Sequence, residues 1–279
     1  MKIGFIGAGK VGATLGKYFG MHGAEISGYC SRSPESAAWA AAFTGSACFD
    51  SPEALAAASD AVFLTVPDGQ IAACWEDLRQ LPLQGKSVCH CSGALSSAVF
   101  AGAEEAGVSA YSIHPLFAVS SREDSWQEIH RAVFAIEGSG SGLDDWENFL
   151  QSMGNTVCRI SGENKDLYHA AAVMASNLVI GLFSSAAELL EQCGFSREAA
   201  PKALEPLFRN NCESLLRLGA EAALTGPVER ADAGTVQKHL AVLPEPQRSA
   251  YVALSEQLVE VAGKKHPERS YEEIKKLLR

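Results

Sequence analysis

The sequence predicts an α/β protein, with a doubly wound parallel sheet in the first half and an all-helical second half. Three observations predict it. Short apolar runs rich in β-forming residues alternate with helical runs over the first half. Most of those runs are apolar on both faces, as strands covered by helices on both sides must be. Beyond about residue 161 the strand signals stop and only helical patterns follow, so the chain divides into 1–161 and 162–279. Strand–helix alternation is the pattern of a layered α/β sheet, and 279 residues exceed one ordinary domain.

The expected strands are 2–6, 25–30, 61–66, 87–91, 109–114, 132–136 and 156–160. The intervening helices carry start and stop signals. Ser33-Pro34 and Ser51-Pro52 each place a capping hydroxyl before proline at the first helical position. Gly23, Gly45, Gly107 and Gly154 stand where helices should end. In the second half, helices are expected at 163–193, 197–218, 232–243, 246–263 and 271–278, punctuated by Gly194-Phe195-Ser196 and Leu224-Thr225-Gly226-Pro227.

Charge and cysteine usage narrow the function classes. The net charge is −10 with no Lys/Arg run, which argues against nucleic acid, where neutralised phosphates supply most of the affinity. A local basic spot can still hold an anionic ligand. Eight cysteines without a CxxC, behind an N-terminus too short in apolar residues for a signal peptide, predict reduced thiols and a cytoplasmic protein. Cys89-His90-Cys91 resembles a metal fragment, but strand alternation sends the two cysteines to one face and the histidine to the other, so no metal is expected. The stretch 170–190 is apolar and long enough to span a bilayer. Asn177, Ser184, Ser185 and Glu188 interrupt it, and the expectation is a helix buried in a protein core, with no membrane.

Gly7-Ala8-Gly9-Lys10-Val11-Gly12 is a GxGxxG sequence between the first strand and the first helix. In that context it is a dinucleotide-binding fingerprint and the sheet a Rossmann sheet. Gly7 permits the tight turn, Gly9 lets backbone approach a pyrophosphate, and Gly12 lets the helix pack on the strand. The helix start supplies N–H groups and positive dipole to the phosphates. An NAD site places a carboxylate at the end of the second strand to bind the ribose 2′-OH. Here that position reads Ser31-Arg32-Ser33. A guanidinium flanked by hydroxyls suits a 2′-phosphate, so NADP is the expected cofactor. Ser33 has an alternative use as a helix cap. Val66-Pro67-Asp68 closes the next strand, with Pro67 as a wall under the cofactor and Asp68 as a candidate helix cap.

These segments also carry a resemblance. GFIGAGKVGATLG, SRS, VPD, CSG and IHP after successive strands, followed by helices, resemble the 6-phosphogluconate/3-hydroxyacid dehydrogenase superfamily. It includes ketopantoate reductase, pyrroline-5-carboxylate reductase and prephenate dehydrogenase. More specifically, YHAAAVMASN (168–177) and LTGPVERAD (224–232) resemble the DUF2520 family of Rossmann-like NADP oxidoreductases. The resemblance spans nearly the whole chain. It implies the fold and NADP, and no substrate.

The candidate chemical residues are Ser92, His114, Lys165, His169 and Asn177. Prephenate dehydrogenases carry a similar His-Pro and a serine after the preceding strand, matched here by His114-Pro115 and Ser92, which also borders the cofactor. The lysine that follows the serine in those enzymes is missing, since Gly93-Ala94-Leu95 comes next. An imidazole titrating near neutral pH suits His114 to protonate a carbonyl oxygen as hydride arrives; the alternative is a histidine bonded to backbone. Lys165 and His169 are four residues apart on one helix face. Ketopantoate reductase and the hydroxyacid dehydrogenases have Lys-x-x-x-Asn there, and here His169 replaces the asparagine, with Asn177 two turns on. Lys165 is alternatively a solvated first-turn residue. Arg230, Asp232, Thr235 and His239 read as a loop and a helix capped by Asp232, with a place at the substrate mouth as the second option.

Two function classes follow. One is an NADP-dependent reductase or dehydrogenase of a small carbonyl, imine or hydroxy compound, with prephenate-dehydrogenase-like chemistry as a variant. The other is a non-catalytic NADP(H)-sensing protein. A homodimer through the helical half is expected from the apolar stretch 170–190.

Overall fold

The first strand is β1 (Lys2–Ile6), whose inner residues Ile3 and Phe5 are fully buried. The chain then alternates through α1 (Lys10–Met21), β2 (Glu25–Cys30), α2 (Pro34–Thr44), β3 (Ala47–Cys48), α3 (Pro52–Ala57), β4 (Ala61–Leu64), α4 (Asp68–Leu78), β5 (Ser87–His90) and β6 (Ser109–Leu116). It continues with α5 (Ser125–Glu128), β7 (Val133–Ser139), α6 (Leu143–Ser152), β8 (Thr156–Arg159) and α7 (Lys165–Ala175). The structure, a computed structural model, describes residues 1–140 and 142–279. Contacts divide the chain into Met1–Ala175 and Ser176–Arg279. The division falls past the residue-161 boundary read from the sequence, because α7 is tied to the sheet by its own side chains, as described below.

The sheet has eight strands in the order β3-β2-β1-β4-β5-β6-β7-β8. It is parallel from β3 to β6, as expected, but β7 runs antiparallel to β6 and β8 follows β7 in parallel. The 2-residue β3 was not foreseen. One face is covered by a core of aromatic rings, in which Phe5 stacks on Tyr29 and Phe63 meets Trp146 edge-on. The other face packs Leu55, Leu64, Trp75 and Phe100. Both proline-led helices are capped as expected, by Ser33 on the Ser36 N–H and Ser51 on the Ala54 N–H.

The second unit contains α8 (Asn177–Gln192), α9 (Ala199–Leu218), α10 (Ala220–Ala223), α11 (Ala233–Val242), α12 (Gln247–Lys265) and α13 (Glu272–Leu278). Its small core joins Val228, Val236, Val259, Ala262, Ile274 and Leu278. Asp232 caps α11 by accepting from the Thr235 N–H and hydroxyl. Glu229 ties the loop before it to His266 and Arg269.

The expected burial of 170–190 is corrected. By length and composition the run Gly162–Gln192 is apolar enough to cross a membrane, but only 6% of its most apolar window is buried. The backbone leaves helical geometry at Ser176 (φ −127°, ψ −82°), so the single helix expected at 163–193 is two. On α8, Leu178, Ile180 and Leu182 are exposed, as are Leu207, Leu215 and Leu216 on α9. An apolar groove of about 490 Å³ runs between these helices, lined by Ile180, Phe183, Phe208 and Leu216.

Candidate functional site

The glycine loop is built as its sequence implies. Gly7 has φ +104°, and a side chain there would meet the Thr65 carbonyl at 2.6 Å. A Cβ on Gly12 would stand 2.5 Å from the Gly7 carbonyl oxygen, which accepts from the Thr65 hydroxyl (2.7 Å). Both positions exclude any larger residue on steric grounds. Over Gly9 a Cβ would meet no protein atom, so the loop is open on that side. Gly9 begins α1 without a side-chain cap, leaving the first-turn N–H groups to a ligand. This cradle fits a dinucleotide pyrophosphate, with Ala8, Lys10 and Val11 continuing it and Val66 and Pro67 following the neighbouring strand.

At the end of β2, Arg32 is exposed and Ser31 and Ser33 are half-buried. The Ser33 hydroxyl accepts from Ser36 N–H (3.1 Å) and donates to a Glu35 carboxylate oxygen (3.0 Å). Both of its ordinary uses are thus filled within α2, and a carboxylate stands beside it.

A second cluster gathers at the C-terminal ends of β5 and β6. The Ser92 hydroxyl donates to Asp68 (2.7 Å) and accepts from the Ala94 and Leu95 N–H groups (3.2 and 3.0 Å). Asp68 therefore does not cap α4, whose N-cap is Pro67; its carboxylate is spent across the sheet on Ser92. The Ser92 N–H donates to His90 Nδ1 (3.2 Å), so the proton of this ring lies on Nε2, which donates to the Ser96 carbonyl (3.2 Å). Burial pushes the His90 pKa down to about 4 and keeps the ring neutral. Cys89 belongs to one face of the sheet and the His90 ring packs on Phe100 of the other.

Lys165 opens α7 and is only 2% exposed, which removes the solvated reading. Its Nζ donates to the Ser92 carbonyl and to the Ser112 hydroxyl, both at 2.9 Å, and lies 5.5 Å from the centre of the Tyr168 ring. Burial lowers its pKa, against the opposing pull of Glu137, Cys91 and Asp68. A lysine does stand beside Ser92, but it comes from the helix rather than from the residue after the serine.

His114 lies two residues beyond Ser112, on the same face of β6. Its Nδ1 is 2.7 Å from the Tyr168 hydroxyl, and the two rings meet edge-on. The match is one of periods: Ser112 and His114 on a strand face Lys165 and Tyr168, one turn apart on a helix. The expectation that His114 titrates near neutral pH is overturned. Burial, with the charges of Lys165 and His169, pushes its pKa down to about 4. Among the described residues the ring has no hydrogen bond to backbone. At pH 7 it is a neutral ring that can donate or accept a hydrogen bond.

Gly93 separates the two imidazoles. A Cβ there would stand 2.8 Å from His169 Cδ2 and 3.0 Å from His114 Nε2. Ser92, His114, Lys165 and His169 are thus brought together. Asn177 is the exposed first residue of α8 and belongs to the second unit. The sequence reading missed Ser112, Tyr168 and Gly93 as members. The period-two pair on β6 and the i, i+3 pair on α7 are the signals that carry the first two.

Comparison with known proteins gives two family matches, the more C-terminal of which begins within the sheet and crosses the boundary between the two units. Residues 132–258 match the family model described as domain of unknown function DUF2520, and residues 2–94 match NADP oxidoreductase coenzyme F420-dependent. Protein TM1727 from Thermotoga maritima is 27% identical with a TM-score of 0.75, over 95% of this chain and 99% of that one. A Bacteroides fragilis protein provisionally assigned as an NADP oxidoreductase is 23% identical (TM-score 0.68; 93% and 98% covered). The Plasmodium falciparum pyrroline carboxylate reductase solved with NADP bound is 15% identical (TM-score 0.60; 95% and 96% covered) and shares the fold. The chain matches no curated protein. The two family matches carry the resemblance read from the sequence, one on each side of the chain.

Proposed function

We propose, for a chain that joins an NADP-oxidoreductase-type half to a DUF2520 half, an NADP(H)-dependent oxidoreductase acting on a small carbonyl, imine or hydroxy compound. The observation that carries this reading is the convergence of Ser92, His114, Lys165 and His169 at the strand ends beside an open glycine loop. Strand C-termini of open α/β sheets are where ligands bind.

When bound, the nicotinamide supplies or accepts hydride. The chain's own groups then have separable tasks. The Gly7–Gly12 loop holds the pyrophosphate, and Arg32 with Ser31 holds the 2′-phosphate. Ser33 joins them only if its hydroxyl turns from Glu35. Lys165, fixed between Ser92 and Ser112, supplies positive charge under the reacting end, where an oxyanion forming in a dry site is stabilised most. His114 and His169 border the space over Gly93 and bind the substrate. A homodimer through α8 and α9 accounts for their exposed leucines, and a cytoplasmic setting suits eight free cysteines.

The test is a screen of the purified protein with NADPH against 2-oxo acids, aldehydes, cyclic imines and prephenate-like compounds, followed by absorbance loss at the reduced nicotinamide band. Turnover of one class supports the proposal. Tight NADPH binding with no turnover across the panel moves the NADP(H)-sensing reading ahead of it.

A further inference from the structure

The His114 ring has two nitrogens in different surroundings. Nδ1 faces the Tyr168 hydroxyl at 2.7 Å. Nε2 faces the gap above Gly93, where a single added methyl would come within 3.0 Å of it. Which nitrogen carries the proton decides what the ring offers to that gap. A phenol is a better donor than acceptor, because its oxygen lone pair is delocalised into the ring, and an unprotonated imidazole nitrogen is a strong acceptor. Burial raises the Tyr168 pKa to about 12, so the phenol keeps its proton. Among the described residues no other hydrogen-bond partner of the Tyr168 hydroxyl is found, so the bond to Nδ1 is its one use.

Resting on the oxidoreductase reading of this site, we infer that Tyr168 is a positioning residue that donates to His114 Nδ1 and fixes the proton on Nε2, so that the ring offers an uncharged N–H donor to a substrate oxygen over Gly93. Gly93 is then the specificity-determining position, since any side chain would fill the space in front of that N–H. An uncharged donor beside the Lys165 ammonium matches a carbonyl oxygen or the alkoxide made from it. It does not match an iminium nitrogen, which is itself a positive donor. The other titratable groups near the ring are Lys165, His169, Asp68 and His90. Lys165, His169 and His90 oppose a second proton on the ring, and Asp68 favours one.

The tautomer can be measured without any substrate, so its failure is separate from failure of the NADPH screen. Long-range ¹H–¹⁵N correlation spectra of the full-length protein, with the His114 signals assigned by His114→Gln, distinguish protonated from bare ring nitrogens. The expected result at pH 7 is a bare Nδ1 and a protonated Nε2, converted in Tyr168→Phe to a mixture of tautomers. A protonated Nδ1 in the native chain, or an unchanged tautomer in Tyr168→Phe, overturns the inference. Exchange of the His114 Nε2 proton with solvent, followed in the same spectra, tests the gap. Gly93→Ala should slow it at least tenfold, and equal rates would remove Gly93 from the proposal. Turnover of cyclic imino acids with none of the matching 2-oxo acids would overturn the assignment of an oxygen.

Discussion

At the end of β2, Arg32 and Glu35 are opposed in charge across Ser33. The guanidinium attracts a 2′-phosphate, and the carboxylate repels it while holding the Ser33 hydroxyl. Arg32→Ala should weaken NADP(H) by about 1.5–3 kcal/mol, the range for hydrogen bonds to charged groups, and leave NAD(H) nearly unchanged. Glu35→Gln should act in the opposite direction, tightening NADP(H) and narrowing nothing for NAD(H). Fluorescence titration of the reduced cofactors reads both. Equal losses for the two cofactors in Arg32→Ala would contradict the 2′-phosphate site. At the same scale, His90 and His114 both have folded pKa values near 4 against an ordinary 6.5. The unfolded chain therefore binds more protons between these values, and stability must fall as the pH drops from 6.5 toward 4. Thermal melts across that window should show the decline, and His114→Gln should make it shallower. An identical slope in the variant would mean that the ring is not buried as described.

Between strands and helices, the decisive contact is α7 on the sheet. Lys165 donates hydrogen bonds to the Ser92 carbonyl and the Ser112 hydroxyl from a site with 2% exposure. Lys165→Met keeps the length and apolar stem but leaves both acceptors without a donor. Each unsatisfied buried group costs about 1–3 kcal/mol. Urea unfolding should show a loss in that range or above, with α7 losing amide-exchange protection first; an unchanged midpoint would contradict the anchoring. Element-scale reading of the sequence was strongest where one period ruled. β1 and β2 stand where the short apolar runs put them. The direction of β7 was not legible, because an apolar strand reads alike in either sense. The connection does not give it either: 117–132 holds the four-residue α5 and a short 3-10 turn, yet β6 lies parallel to β5 across a connection with only one 3-10 turn. The site was half legible for a related reason. His114, Ser92 and Lys165 were named by type and position, whereas Tyr168 and Gly93 matter through a partner that only the fold supplies.

For the molecule as a whole, the uncovered apolar face of α8 and α9 is the feature that asks for company. Ile180 is 70% and Leu216 87% exposed, and contiguous apolar surface of this kind marks association sites. The protein should sediment as a dimer at micromolar concentration, and Ile180→Glu should shift it to monomer. A native monomer at that concentration would contradict the homodimer proposal. The sequence signalled this stretch as too apolar for an ordinary surface helix, but pattern alone does not say whether the cover comes from the same chain.

The sheet itself is closed to such company. One margin is β3, two residues long, and the other is β8, whose Arg159 is locked in a fork between Asp144 and Glu147. A row of free backbone groups templates another chain only if it is long, flat and uncharged. Here one rim is too short to copy and the other is barbed with charge. As long as α6 keeps its carboxylates on Arg159, the first half has no ready seam along which to grow a fibril.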